Sequence, residues 1–216
     1  MQPLQGIRIV EVTTNASGPF ATGILADQGA DVIRLETVGV GDPSRYVGGV
    51  RGGVTGYNAS MNRNKRSVAV DLKNAQLRPA LYELIKTADV FVQNSRPGAL
   101  DRSGYGFEAL HALNPDLIYV SISGFGPDGP ASHQRVYDPV IQVTAGFAAA
   151  QGYGSDKPEL VRTIASDKIA ALTTAQAVSS ALFARAMGRV RGHHVELSML
   201  DASLQFLWPD TFWNHG

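Results

Sequence analysis

Short runs of β-branched residues alternate with helical segments at the start of the chain. Residues 7–12 (Ile-Arg-Ile-Val-Glu-Val) and residues 31–36 (Asp-Val-Ile-Arg-Leu-Glu) have the composition of buried strands. Between them, residues 18–29 carry apolar side chains at helical spacing and end at a glycine. This β-α-β order predicts a right-handed crossover between two parallel strands.

The same alternation predicts the rest of the fold. Further strands are expected at residues 66–72, 89–93, 117–121 and 195–200, and helices at 75–87, 107–113, 140–150 and 167–187, with a terminal helix capped by Asp201. Residues 37–59 contain too many breakers for a regular element. No repeat or linker marks a boundary. Residues 1–216 are therefore predicted to form one α/β domain with a Rossmann-like, mainly parallel sheet flanked by helices.

Composition excludes several classes of protein. The 19 basic and 19 acidic residues cancel, which argues against a nucleic-acid or membrane-surface partner. The chain has no cysteine, hence no thiolate nucleophile, disulfide or cysteine-based metal site. Its amino terminus lacks the layout of a signal peptide, and no apolar run reaches the roughly 20 residues that span a bilayer. A soluble cytoplasmic protein is therefore expected.

Several familiar sites also lack support. Residues 11–19 follow the first strand without Gly-x-Gly-x-x-Gly, so the dinucleotide fingerprint is missing where it should lie. The sequence contains no Gly-x-Ser-x-Gly elbow for a serine nucleophile. The histidines show no ligand spacing with carboxylates, so no metal site is predicted at His111, His133, His193, His194 or His215.

Two polar segments lie where a ligand could bind. Residues 62–66 (Asn-Arg-Asn-Lys-Arg) form a basic cluster, which is either a solvated loop or a phosphate contact. Residues 94–102 follow the carboxyl end of a predicted parallel strand, where open α/β sheets bind ligands. Asn94, Arg96 or Arg102 could therefore touch a ligand. The alternative is an ordinary strand-to-helix loop.

Asp167 stands where an apolar-polar run meets a long helix rich in Ala, Leu and Val. The positive end of a helix dipole favours an ionised carboxylate, which is then available as a nucleophile or base. Aspartate is also a favoured N-cap residue, so simple helix capping is the alternative interpretation.

At the end of the chain, residues 208–216 are unusually apolar. Large apolar groups normally pack on a partner surface, so such a surface is expected for these residues.

Taken together, these segments resemble the family III CoA-transferases, a group that includes formyl-CoA transferase, carnitine CoA-transferase and α-methylacyl-CoA racemase. The resemblance extends over nearly the whole chain, from Leu4 to about Leu200. It is carried, in order, by residues 31–36, 41–43, 62–67, 71–73, 94–98 and 123–130, and by Asp167 at the start of a long helix. Each motif is weak alone, but their order and spacing are specific.

The resemblance implies a set of roles. Asp167 would attack an acyl-CoA thioester and carry CoA, as an aspartyl thioester, to a second carboxylic acid. Arg135 and Tyr137 would border the reacting thioester. CoA would contact Asn15, Ala16, Ser17, Lys65, Arg66, Asn94, Ser95 and Arg102. Acyl-CoA and a free carboxylic acid are therefore the expected substrates, and no metal is expected.

The sequence departs from the family pattern at some of these positions. Glutamine is common at the position of Ala16, a basic residue at Thr37 and an aromatic residue at Ser95. Tyr137 occupies the place of a catalytic histidine in the racemases. Because tyrosine ordinarily titrates near pH 10, it is a poor base, and CoA transfer is favoured. Racemisation and an inactive CoA-binding fragment remain the alternatives.

Members of this family run to roughly twice the length of the present chain. The resemblance therefore implies the N-terminal part of a longer enzyme, with a glycine-rich loop and a smaller second domain beyond residue 216. The family forms interlocked homodimers, so a homodimer is expected at full length. The 216-residue chain alone is expected to be inactive.

Overall fold

The computed structural model describes residues 2–152 and 157–212. A single six-stranded sheet runs through it, and each neighbouring pair of strands is parallel. Its strands, in chain order β1 to β6, are Arg8–Val12, Asp31–Glu36, Lys65–Ala69, Val90–Gln93, Ile118–Ser123 and His193–Ser198. They lie in the order β3-β2-β1-β4-β5-β6, so the order reverses between β1 and β4. The predicted Rossmann-like parallel sheet is confirmed.

Helices cover both faces of this sheet. In chain order α1 to α9 they are Ser17–Asp27, Gly56–Asn62, Arg78–Lys86, Ala99–Arg102, Phe107–Leu113, Asp138–Ala145, Phe147–Gln151, Ala165–Ala186 and Met199–Phe212. Alternate strand residues face opposite cores, as the period of a β-strand requires. Ile9 packs with α1 and α8 residues, whereas Val10, its neighbour, packs with α3 and α5 residues.

Some predicted bounds need correction because local contacts end the elements elsewhere. The helix expected at residues 140–150 is two helices, because Gly146 adopts a left-handed backbone with φ 96°. The last strand ends earlier than expected, and α9 begins at once. Asp201 is therefore not its cap; its N–H donates to the Ser198 hydroxyl at 3.1 Å. Of the apolar tail, residues 213–216 lie outside the described part of the chain.

The prediction that residues 37–59 lack regular structure is also wrong. They contain a 3₁₀ turn at Pro43–Tyr46, a hairpin of Val50–Arg51 with Val54–Thr55, and most of α2. Side-chain oxygens stabilise these short elements. The Asp42 carboxylate accepts the Ser44 N–H at 2.6 Å, and the Thr55 hydroxyl accepts the Asn58 N–H at 3.0 Å. A prediction that rests on the number of glycines and other breakers does not detect such caps.

Charged side chains are buried beneath these loops, in a group that we call the buried charge cluster: Glu11, Arg34, Glu36, Asp42 and Lys65. Each of these side chains is at most 5% exposed. The Arg34 guanidinium lies 2.7 Å from Asp42 Oδ2, and Lys65 Nζ lies 3.0 Å from Glu11 Oε1. Buried charges are tolerated only when paired in this way.

Glu36 lies at the edge of the cluster and shows how strong the pairing is. Burial by itself would raise the pKa of Glu36. Hydrogen bonds from Arg45 and Ser67, together with the charge of Arg34, outweigh burial and lower the pKa to about 2. The carboxylate is therefore ionised at any pH at which the protein would be studied.

The cluster also fixes the loop that precedes α1. Asp42 Oδ2 accepts the N–H of Asn15 at 2.9 Å, while the same carboxylate contacts Arg34. Asn15 has a left-handed backbone with φ 66°, a conformation that asparagine adopts more readily than most residues. The position of the α1 amino terminus therefore depends on Arg34 through Asp42.

Replacing the centre of the cluster should be costly. We expect Arg34→Ala to lower the free energy of unfolding by about 3–5 kcal/mol, because it leaves buried carboxylates unpaired. The matched control is Arg66→Ala, which removes an exposed ion pair with Asp31 and should cost about 0–1 kcal/mol. Urea unfolding of both variants measures the difference. Equal losses would show that the cluster is not a special constraint.

Candidate active site

A cavity of about 280 Å³ lies at the carboxyl edge of the sheet, between the loops that follow β1 and β4. The order of the strands reverses at this point, which is where open α/β sheets bind ligands. We call it the Asp167 cavity. Its wall consists of residues 14–17, 94–97, 122–124 and 134–137, with Ser132, Asp167 and Met199.

Asp167 lies in the first turn of α8, not at its cap. The helix begins at Ala165, and no side chain of the preceding residue caps it. Instead, Asp138 Oδ1 at the start of α6 accepts the Asp167 N–H at 2.9 Å. The interpretation of Asp167 as a plain N-cap is therefore wrong, since another carboxylate serves the helix terminus and the Asp167 side chain faces the cavity.

The carboxyl group of Asp167 has an unusual protonation equilibrium. It is 7% exposed. Burial raises the pKa of Asp167 to about 6, and the nearby charge of Asp138 adds to this effect. Hydrogen bonds from the Ser17 N–H and hydroxyl oppose the rise. The Asp167 carboxyl group is thus mainly ionised at pH 7, but a larger fraction of it is protonated than the helix dipole alone predicts.

Asp138 is itself held from several sides. It is 3% exposed, and Gln142 Nε2 donates to its second oxygen at 2.5 Å. The same Gln142 amide accepts the Val161 N–H at 2.9 Å and donates to the Thr163 carbonyl at 2.8 Å. The segment that leads into α8 is thus tied to α6, which fixes the distance between the two carboxylates.

Tyr57 is a neighbour of Asp167 that the sequence did not reveal. Burial raises the pKa of Tyr57 to about 12, and the charges of Asp167, Asp42 and Asp138 contribute to the rise. Its phenol therefore stays protonated near these carboxylates. The residue lies on α2, in the glycine-rich segment predicted to be irregular, so no helical pattern pointed to it.

Most of the predicted site residues line the Asp167 cavity: Asn15, Ala16, Ser17, Asn94, Ser95, Arg135, Tyr137 and Asp167. Asn94 also joins the two principal loops. Its amide donates to the Thr14 carbonyl at 2.8 Å and accepts the Thr14 N–H at 2.9 Å. Tyr137 is 71% exposed, and Arg135 is exposed as well.

The structure does not bring Lys65 or Arg66 to this cavity. Lys65 Nζ is buried, where it donates to Glu11, Thr22 and the carbonyl of Pro19. Arg66 lies on the edge strand β3 and forms an ion pair with Asp31, the first residue of β2. Both side chains are thus engaged by the fold itself, at a distance from the carboxyl edge.

Arg102 lies in a second, larger space of about 970 Å³, which we call the basic cleft after Arg102 and Lys73; the carboxylates of Glu36, Asp42 and Asp71 line it as well. Lys73 also lines this cleft, although the sequence suggested no role for it beyond its motif. The basic cleft and the Asp167 cavity share Thr14 and Ser95. An extended ligand could therefore occupy both.

Neither a metal centre nor a membrane span is found in the part of the chain that the structure describes. In residues 2–152 and 157–212, no three His, Asp or Glu side chains converge as a metal site would require. Among the same residues, no helix is both long and apolar enough to cross a bilayer.

Comparison with known proteins gives a consistent result. The sequence model of the family described as CoA-transferase family III matches residues 4–216. An acetyl-CoA:oxalate CoA-transferase of Acetobacter aceti is 38% identical over 206 residues, covering 95% of this chain and 53% of that protein. A formyl-CoA:oxalate CoA-transferase of Rhodopseudomonas palustris (strain BisA53) is 40% identical over 202 residues, covering 93% and 47%.

A solved structure agrees with these relatives. That of a CAIB/BAIF family protein from Brucella suis superposes with a TM-score of 0.92 at 33% identity, covering 99% of this chain and 57% of that chain. The present chain spans about half the length of the curated relatives that it matches.

The raised pKa of Asp167 has a consequence for stability. Because the folded state binds this proton more tightly than the unfolded state, the ionised carboxylate opposes folding above pH 6. Asp167→Asn should therefore stabilise the protein at pH 7.5, on the order of 3 kcal/mol. The gain should shrink as the pH falls below 6, since wild-type Asp167 then becomes protonated.

Thermal and urea unfolding at pH 7.5 and pH 5 measure this gain. The exposed Asp128 provides the control, because Asp128→Asn should leave stability nearly unchanged at both values. A capping or purely structural role for Asp167 predicts the opposite sign at pH 7.5, namely a loss of stability in Asp167→Asn.

Proposed function

Because this chain belongs to CoA-transferase family III, we propose that it moves CoA from an acyl-CoA thioester to a free carboxylic acid, with Asp167 as nucleophile. The observation that carries the proposal is a buried carboxylate that lines a cavity at the reversal point of the sheet. Ser17, the first residue of α1, lowers the pKa of this group and so favours its charged form.

The proposed reaction divides one transfer into balanced steps. An Asp167 oxygen attacks the thioester carbonyl carbon and expels CoA as the thiolate, which leaves a mixed anhydride. The thiolate then attacks the aspartyl carbonyl carbon, so that the first acid departs as a carboxylate. The acceptor carboxylate displaces the thiolate from this aspartyl thioester. Finally, the thiolate attacks the acceptor carbonyl and regenerates the Asp167 carboxylate.

The electrostatics of the site favour the first step. A carboxylate near pKa 6 is mainly ionised at neutral pH, so the attack needs no base. Burial and Asp138 make that charge unfavourable in the free protein. Acylation converts it into a neutral anhydride, so part of the electrostatic penalty is released. Asp138 also orients the nucleophile, since it binds the backbone N–H of Asp167.

The two connected spaces suggest how CoA is bound. The thioester would lie in the Asp167 cavity, bordered by Arg135 and Tyr137. The pantetheine arm would pass Thr14 and Ser95 into the basic cleft, where Lys73 and Arg102 would meet phosphates. This proposal assigns no phosphate contact to Lys65 or Arg66, because both form ion pairs within the fold.

The same proposal covers the assembly and the extent of the active protein. Leu172 and Phe183 on α8, and Met187 directly after it, are exposed apolar side chains that supply a surface which further chain or a second copy would bury. We propose a homodimer for the longer form and inactivity for the 216-residue chain alone. Its relatives are about twice as long, which supports the second point.

Trapping the aspartyl ester tests the nucleophile directly. The protein is incubated with formyl-, acetyl-, succinyl- and oxalyl-CoA and quenched with hydroxylamine, and the tryptic peptide of residues 163–168 is weighed. We expect a hydroxamate on Asp167 and none in Asp167→Asn. The assay is run on this chain and on a form extended to the length of its relatives. Labelling of neither form would contradict the proposal, and labelling of the short form would contradict its inactivity.

Tyr137 separates transfer from racemisation. It is an exposed phenol at the position where a racemase needs a proton-transferring base. In deuterated buffer, we expect the extended protein to transfer CoA without exchanging the α-proton of an acyl-CoA. Tyr137→Phe should reduce transfer far less than the hundredfold or more that loss of a general base costs. Solvent deuterium at the α-carbon would instead identify an isomerase.

A further inference from the structure

Ser95 lies where three cavities meet. It lines the Asp167 cavity, the basic cleft and a third cavity of about 210 Å³ whose wall includes Gln93, Ser121 and His194. A ligand that extends from the Asp167 cavity to the basic cleft passes Thr14 and Ser95, the residues that line both spaces. What holds this residue in place therefore affects binding in both spaces.

A chain of hydrogen bonds runs from Ser95 across three neighbouring strands. The Ser95 N–H donates to Gln93 Oε1 at 2.7 Å, and Gln93 Nε2 donates to Ser121 Oγ at 3.0 Å. Ser121 Oγ lies 2.9 Å from His194 Nε2. Gln93, Ser121 and His194 belong to β4, β5 and β6, and Gln93 pairs with Ser121 in the sheet register. We call this the cross-strand chain.

The backbone donor sets the direction of the first two bonds. A backbone N–H can only donate, so the Gln93 oxygen must face Ser95 and its NH₂ must face Ser121. The Ser121 oxygen thus accepts from Gln93. A hydroxyl oxygen has a second lone pair as well as a hydrogen, so Ser121 Oγ can bond to His194 Nε2 in either tautomer of a neutral imidazole.

The environment of His194 favours this neutral form. Burial lowers the pKa of His194, and so does neighbouring His193, whereas Glu196, Asp101 and Glu108 raise it with a smaller combined effect. The ring is also held in place by aromatic neighbours. It stacks on Phe107, with centroids 4.5 Å apart, and meets the edge of Tyr119 at 5.2 Å. On the far face of Phe107 lies a further imidazole, His111.

We propose that His194 is a positioning residue, which acts through Ser121 and Gln93 to hold Ser95 where the bound acyl-CoA passes from one cavity to the next. This role rests on the proposed function, because CoA is the ligand that connects the two spaces. The opposite side of the loop is held independently, since Asn94 bonds to Thr14. Loss of the cross-strand chain should therefore loosen Ser95 without unfolding the protein.

His194→Phe tests the proposal, because phenylalanine retains the stack on Phe107 and removes the hydrogen bond between Nε2 and Ser121. We expect the dissociation constant for CoA to rise three- to tenfold, the range that loss of one neutral hydrogen bond produces. The amide signal of Ser95 should move in the ¹H–¹⁵N NMR spectrum. His194→Gln, which places an acceptor oxygen near the same point, should restore both values to within about twofold of wild type.

His193→Phe is the matched control, since the neighbouring residue points to the other face of β6. It should change neither CoA affinity nor the Ser95 signal. Circular dichroism and thermal unfolding verify that each variant is folded.

The outcomes separate this inference from the proposed function. A wild-type chain that does not bind CoA would count against the proposed CoA cleft, while the NMR data would still decide the cross-strand chain. An unmoved Ser95 amide in His194→Phe would overturn the positioning role. Unchanged CoA affinity in His194→Phe, with wild-type binding intact, would overturn it as well.

Discussion

A buried guanidinium must be paired with carboxylates in a folded protein. In this protein, Arg34 carries such a buried guanidinium. Its charge lies on β2, between the carboxylates of Glu11 on β1 and Asp42 in the following loop. Leaving any of these groups unpaired would cost several kcal/mol. The order of the strands β3, β2 and β1 and the path of the loop after β2 therefore depend on each other. The amino terminus of α1 follows from the same constraint, because Asp42 also binds the N–H of Asn15.

The candidate nucleophile uses the rigidity that this constraint supplies. Asp167 is buried near Asp138, an arrangement that opposes its ionisation, whereas Ser17 at the α1 terminus favours the charged form. The position of α1 therefore affects the charge of this carboxylate. The fold thus maintains an unfavourable charge in a defined place, which is a common property of reactive groups in enzymes.

The cavities around this charge are connected by loops rather than by regular elements. Asn94 joins the loops after β1 and β4, and the cross-strand chain joins the second of these loops to β6. Loops placed by a parallel sheet commonly carry function because the sheet itself supplies stability. Here the side chains that connect the loops extend from β1 to β6, so the geometry of the site depends on most of the strands of the sheet.

The amino-acid sequence by itself determined the six strands of the sheet and the long helix α8, because periods of 2 and 3.6 are local properties. It also placed Asn94 at the carboxyl end of a strand and Asp167 at the start of a helix, since the ends of elements can be located from the same pattern. Only the tertiary structure decided which charges meet. The sequence suggested that Lys65 contacts a phosphate, but in the structure its amine donates to Glu11. The sequence also offered Asp167 as a helix cap, but the Asp138 carboxylate accepts an N–H at the start of α8 instead. Pairings between residues far apart in sequence depend on strand order and register, which no local pattern encodes.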